Sequence, residues 1–108
     1  SVVSGILGAD VVEGVKIQNK KTGAVTEQKV EGIFIAVGQV PNNQAFEDTV
    51  KLDDYGYILA SEDCITSMPG VFAAGDCRTK EVRQLTTAAA DGAVAALAAC
   101  KYIEEMDE

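Results

Sequence analysis

Hydrophobic and polar positions form short strand-like runs in the first two thirds of this chain and one long helix-like run at its end. Val11 to Gln18 and Ala24 to Val30 alternate apolar and polar residues imperfectly, with the period of a strand that has one face toward a core. Between them, Asn19 to Gly23 supplies the Asn and Gly that tolerate the positive φ angles of hairpin turns. These runs predict a β-hairpin whose polar faces meet water.

Two further runs are apolar without alternation, which is typical of strands covered on both faces. Ile33 to Val37 is the longer one, and turn-forming residues follow it from Gly38, where we place a domain boundary. The shorter run, Val71 to Ala74, stops at Gly75-Asp76. Both runs predict buried strands.

The remaining pattern predicts a second hairpin and one helix. Val50 to Leu59 has the hairpin pattern, with Asp53 to Gly56 at its tip. Leu85 to Glu105 predicts the helix, because eight of its residues are alanine, the strongest helix former. Gly92 interrupts this stretch at a cost of about 1 kcal/mol relative to alanine, so we expect the helix to pack closely there.

These elements define an α/β chain, made mostly of strands and hairpins with one long carboxyl-terminal helix. Its layers are incomplete, because two strands buried on both faces need more cover than one helix supplies. The pattern therefore predicts a part of a larger fold, with the missing cover provided by other segments or by a second copy.

The amino-acid composition of the chain excludes several classes of function. The chain has 108 residues, 47% hydrophobic and 24% charged, which suits one small folded domain. Its net charge of −8 disfavours nucleic acid and anionic lipid as partners. It contains no histidine, which excludes Ser-His-Asp and Cys-His catalysis within the chain and removes the commonest metal ligand. We therefore predict no metal site.

The cysteines predict packing rather than redox chemistry. Cys64, Cys77 and Cys100 form neither a CxxC pair nor a paired zinc spacing. Cys77 directly follows Asp76, yet without a resolving partner it is more simply a packing residue, as are the other two. Scattered reduced thiols, no signal-peptide pattern and no apolar stretch near about 20 residues predict a soluble, cytoplasmic protein outside the membrane.

Candidate chemistry lies where the second apolar run ends. Gly75-Asp76 would place a carboxylate at the carboxyl edge of a strand, where it suits a ribose or ribityl hydroxyl. A few residues later, Arg83 to Thr87 lead into the helix, whose first N–H groups attract electron-rich atoms. The alternatives are an Asp in an ordinary turn and a helix start capped by Thr86 or Thr87. Spacing alone leaves both open.

Three parts of the chain match a known family in order and spacing. The chain resembles the carboxyl-terminal part of the flavoprotein disulfide reductases with two nucleotide-binding domains, and most closely the low-molecular-weight thioredoxin reductases. The likeness covers almost the whole chain, although the first 30 residues match only as a generic hairpin. The matching parts are Gly32 to Asn42, Thr66 to Asp76, and Arg83-Gln84 followed by Thr87 to Ala89 and Asp91-Gly92.

The resemblance implies a partial FAD/NAD(P)-binding Rossmann-like fold. Residues 1–37 would end an NAD(P)H-binding domain, and residues 38–108 would form the carboxyl-terminal portion of the FAD-binding domain. It implies that Asp76, after Gly75, bonds the ribityl chain of FAD. The same resemblance implies that the flavin is lined by Arg83, Gln84 and Leu85. No catalytic residue falls within the chain.

The implied activity belongs to the whole enzyme. Electrons would pass from NADPH or NADH through FAD to an enzyme disulfide and then to a small thioredoxin-like dithiol protein, in a homodimer. The family's CxxC and GxGxxG motifs do not occur in these 108 residues, so we expect the chain alone to be inactive. Two alternatives stay open: part of an alkyl hydroperoxide reductase flavoprotein subunit, and a cofactor-free assembly or interaction module.

Overall fold

The computed structural model describes residues 1–107, and contacts within it divide the chain into two compact units. The first unit is Ser1–Gly38 and the second begins at Gln39. This division falls at the point where turn-forming residues follow the apolar run ending at Val37. The α/β class with one long carboxyl-terminal helix is confirmed.

The first unit contains a three-stranded antiparallel sheet in the order β1-β2-β3. The predicted hairpin is confirmed as β2 and β3, and its loop is closed by the Gly23 N–H, which donates to the Asn19 carbonyl at 2.8 Å. The additional strand β1 was not predicted, because a register shift between Val3 and Gly5 disrupts its alternation. The strands are β1 (Val2–Leu7), β2 (Gly14–Gln18) and β3 (Val25–Lys29).

The run Ile33 to Val37 is not a strand, so that prediction is wrong. Phe34 is fully exposed and Val37 is 93% exposed. Within residues 1–107 no strand lies beside this run to share its backbone hydrogen bonds, and no layer covers its side chains. The apolar composition therefore indicates a segment that needs cover from outside the described residues.

The second unit is built around the predicted second hairpin, which is confirmed. The Asp53 N–H donates to the Tyr57 carbonyl at 2.8 Å, and the Leu59 N–H donates to the Lys51 carbonyl at 2.9 Å. Ile58 also pairs in parallel with Arg78, which joins the hairpin to the chain that follows the second apolar run. The core of this unit consists of Val50, Ile58, Ala60 and Ala73, with Leu52 and Cys77 packed against it.

The run Val71 to Ala74 forms a single antiparallel bridge between Phe72 and Ile65 instead of a buried strand, so this prediction is also wrong. Two local features keep the pairing short. On one side, Cys64 adopts a left-handed φ of 61°, which breaks the extended path of the partner segment. On the other side, a turn closes at once, with the Val71 N–H donating to the Met68 carbonyl at 3.1 Å.

Helix α1 spans Leu85–Met106, which confirms the predicted helix. Its packing differs from expectation, because a Cβ added at Gly92 would meet no atom within 4 Å. Close approach occurs instead opposite Gly70, where an added Cβ would lie 3.1 Å from the ring of Tyr102. That ring packs edge-on against Phe72 with centroids 6.2 Å apart. Within residues 1–107, no helix has both the length and the apolar character required to cross a membrane.

Asn43 anchors the start of the second unit and gives a first prediction. Its side chain is 5% exposed, and its Nδ2 donates to the carbonyls of Gly56 and Cys77, each at 2.9 Å. Asn43→Ala removes both donors, so we expect the free energy of unfolding to fall by about 1–3 kcal/mol. Urea unfolding measures this change. The neighbouring exposed variant Asn42→Ala is the control, and an equal loss in both variants would contradict the anchoring role.

Candidate functional site

The predicted residues Gly75 and Asp76 lie in a short 3-10 turn, Gly75–Cys77. Gly75 has a φ of 84°, and a Cβ added there would lie 3.5 Å from the Cβ of Ala88 on α1. Glycine therefore lets the backbone adopt a left-handed conformation beside the helix. Asp76 is exposed, and among the residues that the structure describes its carboxylate has no hydrogen-bond or ion-pair partner. That carboxylate can accept hydrogen bonds from a ligand.

Arg83 links this turn to the start of the helix. Its Nε donates to the Asp76 carbonyl oxygen at 3.1 Å, and its Nη2 donates to the Arg78 carbonyl oxygen at 3.1 Å. Its guanidinium carbon lies 3.8 Å from the centroid of the Tyr57 ring, in cation–π geometry. The structure therefore brings the predicted residues Asp76 and Arg83 together, with the arginine spanning the turn.

Gln84 and Leu85 lie at the start of α1. Gln84 is the N-cap residue, and its N–H donates to the Thr87 hydroxyl at 3.1 Å, so neither Thr86 nor Thr87 is the cap itself. The side chains of Gln84 and Leu85 are exposed. The first turn of a helix presents N–H groups with a partial positive charge, which favour an electron-rich ligand atom.

An open cleft of about 350 Å³ lies beside the turn. Its lining combines one free carboxylate, one aromatic ring, one thiol and the backbone of the segment that opens the second unit. A cleft of this kind can hold a ligand that has both hydroxyl groups and an apolar portion. The lining residues are Gln39, Val40, Pro41, Asn42, Tyr57, Asp76 and Cys77.

A buried ion cluster behind the turn was missed by sequence reasoning. Asp91 on α1 is 6% exposed, and its carboxylate accepts hydrogen bonds from Arg78, Lys80 and the Gly75 N–H. The Arg78 side chain lies in the same cluster and is buried as well. The one available signal was a charged residue inside an alanine-rich helix, where an aspartate must face either solvent or a cation.

The cluster shifts the pKa values of its members. Hydrogen bonds from Arg78 hold the pKa of Asp91 well below its usual range, with Lys80 and the Gly75 N–H adding to the effect and burial opposing it. The same contact with Asp91 raises the pKa of Arg78 above its ordinary value. Asp91 therefore remains a carboxylate, and Arg78 a cation, throughout the neutral range.

The three cysteines have different surroundings. Cys64 is fully buried, and its thiol donates to the Asp91 carbonyl at 3.5 Å, as a packing residue would. Cys77 is half-buried, and its thiol donates to the Ala74 carbonyl at 3.3 Å beside the core. Cys100 is exposed on α1, so the packing prediction is wrong for this residue.

The burial of Cys64 predicts slow alkylation. Burial, followed by the charge of Asp91, raises the pKa of the Cys64 thiol, which lowers the fraction of reactive thiolate. We expect iodoacetamide at mildly alkaline pH to modify Cys64 about 100-fold more slowly in the folded protein than in urea. Peptide mass spectrometry measures the rates, with Cys100 as the internal reference. Equal rates for Cys64 in both conditions would contradict the packed environment.

Comparison with known proteins identifies the family to which this chain belongs. The model of the pyridine nucleotide-disulphide oxidoreductase family matches residues 2–92, so the chain belongs to that family. It is 43% identical over 112 residues to a thioredoxin reductase of Peptoclostridium litorale, covering 98% of this chain and 36% of that protein. It is also 45% identical over 103 residues to a "34.2 kDa protein in rubredoxin operon" of Clostridium pasteurianum, covering 95% of this chain and 33% of that protein.

Solved structures agree with this assignment. The thioredoxin reductase of Lactococcus lactis matches with a TM-score of 0.90 and 43% identity, covering 96% of this chain and 35% of that one. The thioredoxin reductase of T. acidophilum matches with a TM-score of 0.88 and 37% identity, covering 97% and 34%. The resemblance to thioredoxin reductases is therefore confirmed. The chain spans about a third of the length of the relatives it matches.

Proposed function

We propose that this chain is the carboxyl-terminal part of a thioredoxin-reductase-like flavoenzyme and that its second unit helps to bind FAD. The observation that carries the proposal is the exposed carboxylate of Asp76, which has no partner among the described residues. It lies in a turn that Arg83 joins to the start of α1. A carboxylate with no structural contact of its own, held beside a helix start, fits a ligand that presents hydroxyl groups.

The residues present fit FAD chemically. Asp76 would accept hydrogen bonds from ribityl hydroxyls, and Gly75, with no side chain, would let that part of the cofactor approach the backbone. The exposed side chains of Gln84 and Leu85, together with the first N–H groups of α1, would lie along the flavin ring. Arg83 would contribute to cofactor binding indirectly, because it donates a hydrogen bond to the backbone of the turn that carries Asp76. When bound, FAD supplies two-electron chemistry, and the protein supplies position and electrostatics.

The whole enzyme would pass electrons from NADPH or NADH through FAD to a disulfide, and from there to a thioredoxin-like dithiol protein. In this proposal residues 1–37 end the NAD(P)H-binding domain, residues 38–108 belong to the FAD-binding domain, and the enzyme is a homodimer. The similarity to thioredoxin reductases favours this acceptor. The chain alone would be inactive, because it contains neither the CxxC nor the GxGxxG motif.

The proposal is tested on the full-length protein that contains this segment. Its visible absorption spectrum reports bound flavin, and reduction of thioredoxin with NADPH or NADH reports activity. We expect one FAD per chain and turnover with at least one of the two nucleotides. A folded full-length protein that neither binds FAD nor reduces thioredoxin would overturn the proposal and favour a cofactor-free assembly module.

A further inference from the structure

The buried carboxylate of Asp91 contacts both ends of the turn that carries Asp76. Its Oδ2 accepts a hydrogen bond from the Gly75 N–H at 2.9 Å, just before Asp76 in the chain. The same oxygen accepts from Arg78 Nε at 2.7 Å, and Oδ1 accepts from Arg78 Nη2 at 2.9 Å. Because Gly75 and Arg78 flank the turn, one carboxylate on α1 fixes the backbone on both sides of Asp76.

Arg78 is itself held firmly, which makes it an effective anchor. Its side chain is 1% exposed, and its Nη1 donates to the carbonyls of Ala60 at 3.3 Å and Thr79 at 2.9 Å. Lys80 adds a second cation, with Nζ 2.9 Å from Asp91 Oδ2. A two-pronged arginine–carboxylate pair restricts geometry as well as distance, so the backbone at Arg78 has little freedom to move.

Asp76 shows the opposite pattern. It is exposed, and its carboxylate has no partner among residues 1–107, so no contact of its own fixes the direction of the side chain. That direction depends on the backbone of the turn, and in particular on the left-handed φ of 84° at Gly75. The groups that hold this backbone therefore determine where the carboxylate lies.

We propose that Asp91 is a positioning residue of the cofactor site: through Gly75 and Arg78 it sets the backbone of the Gly75–Cys77 turn and so aims the Asp76 carboxylate. This inference rests on the proposed role of Asp76 in binding FAD. Asp91 would not touch the cofactor, because its carboxylate is buried and already occupied by Arg78, Lys80 and the Gly75 N–H.

A double-mutant cycle on the full-length protein tests this inference. FAD is titrated into the apoprotein, and the dissociation constant is measured by fluorescence quenching. We expect Asp91→Asn alone to raise the dissociation constant about tenfold, a coupling within the range of residues that share a network. In the Asp76→Ala background the same change should raise it less than about twofold, because the group that Asp91 positions is already gone.

A second readout does not depend on FAD. We expect the Gly75 amide, which donates to Asp91, to exchange with deuterium about tenfold faster in the Asp91→Asn apoprotein than in the wild type. Asp76→Ala should leave this exchange unchanged. The exposed variant Asp48→Asn is the control for a simple change of charge. If Asp91→Asn does not fold, Arg78→Lys replaces it in the cycle, since it keeps the charge but removes the two-pronged contact.

The outcomes separate the inference from the proposed function. Equal fold-changes for Asp91→Asn in both backgrounds would show that Asp91 acts independently of Asp76 and would overturn the inference alone. If the Gly75 amide exchanges with deuterium as slowly in Asp91→Asn as in the wild type, the inference about Asp91 would also be overturned. An unchanged dissociation constant in Asp76→Ala by itself would overturn the proposed role of Asp76, and the inference would fall with it.

Discussion

Asp76→Ala is expected to raise the dissociation constant of FAD by about 10–100-fold while leaving the stability of the apoprotein within about 0.5 kcal/mol. In the proposed role, the loss follows from removing a carboxylate that would accept hydrogen bonds from the hydroxyl groups of the ligand, and each tenfold change in the dissociation constant corresponds to about 1.4 kcal/mol. We expect the stability of the apoprotein to change little, because the carboxylate of Asp76 is exposed and makes no contact within the described residues. FAD titration and urea unfolding of the full-length apoprotein measure the two quantities.

Two variants sharpen this test. Asp76→Asn keeps the size of the side chain and removes its charge, so we expect a smaller rise in the dissociation constant than with alanine. Asp48→Ala changes another exposed aspartate and should have no effect on FAD binding. If FAD binds Asp76→Ala as tightly as the wild type, the assignment of Asp76 to the cofactor is wrong.

Asp91→Ala is expected to give the largest loss of stability in the chain. The change removes the buried carboxylate shared by Arg78 and Lys80 and, within residues 1–107, leaves Arg78 with only the exposed Glu62 as its ion-pair partner. Breaking a buried ion pair by removing one partner costs about 3–5 kcal/mol. The Gly75 N–H also loses its acceptor. Urea unfolding of the full-length protein at neutral pH measures the loss, with Asp48→Ala as the control. A loss no larger than that of the control would contradict a structural role for the cluster.

The ion cluster around Asp91 also predicts how the stability of the protein depends on pH. Because the folded protein holds the pKa of Asp91 below its usual range, the contribution of Asp91 is present in full above the unfolded value near 4. It declines as the pH falls from that value toward the lower pKa of the folded state. The stability difference between wild type and Asp91→Ala should therefore be constant from about pH 6 to 8 and shrink below about pH 4. A difference independent of pH would contradict the ion cluster.

Elements with a strong local pattern could be predicted from the sequence. Helix α1 follows from an alanine-rich stretch, and the β2–β3 hairpin follows from alternation around a turn with Asn19 and Gly23. The hairpin with Asp53 near its tip follows from the same reasoning. In each case the signal and the element lie in the same continuous stretch of the chain, so no partner distant in sequence was needed to predict the element.

The apolar runs show the limit of that reasoning. Ile33 to Val37 has the composition of a covered strand, but composition does not supply neighbouring strands or cover, and Phe34 is fully exposed. The pairing of Val71 to Ala74 with its partner segment is short because Cys64 in that segment has a left-handed backbone conformation. A cysteine in the sequence does not indicate this conformation. Gly92 faces open space, while the close contact occurs at Gly70.

The candidate site was predictable in part. The residue pattern indicated Asp76 and the segment beginning at Arg83, and the resemblance implied their roles toward FAD. The structure brings the two residues together through the Asp76 backbone carbonyl. The packing of Arg83 on Tyr57 and the cluster around Asp91 join residues that are 11 to 26 positions apart. Such contacts depend on tertiary folding, and charge pattern along the chain does not specify which cation meets which carboxylate.

A crystal structure of the full-length protein with bound FAD would show whether Asp76 contacts the cofactor. We expect a carboxylate oxygen of Asp76 to lie within about 3.2 Å of a ribityl hydroxyl, while Asp91 stays hydrogen-bonded to Arg78 and to the Gly75 N–H. A structure in which FAD binds without contacting the turn that carries Asp76 would contradict this expectation.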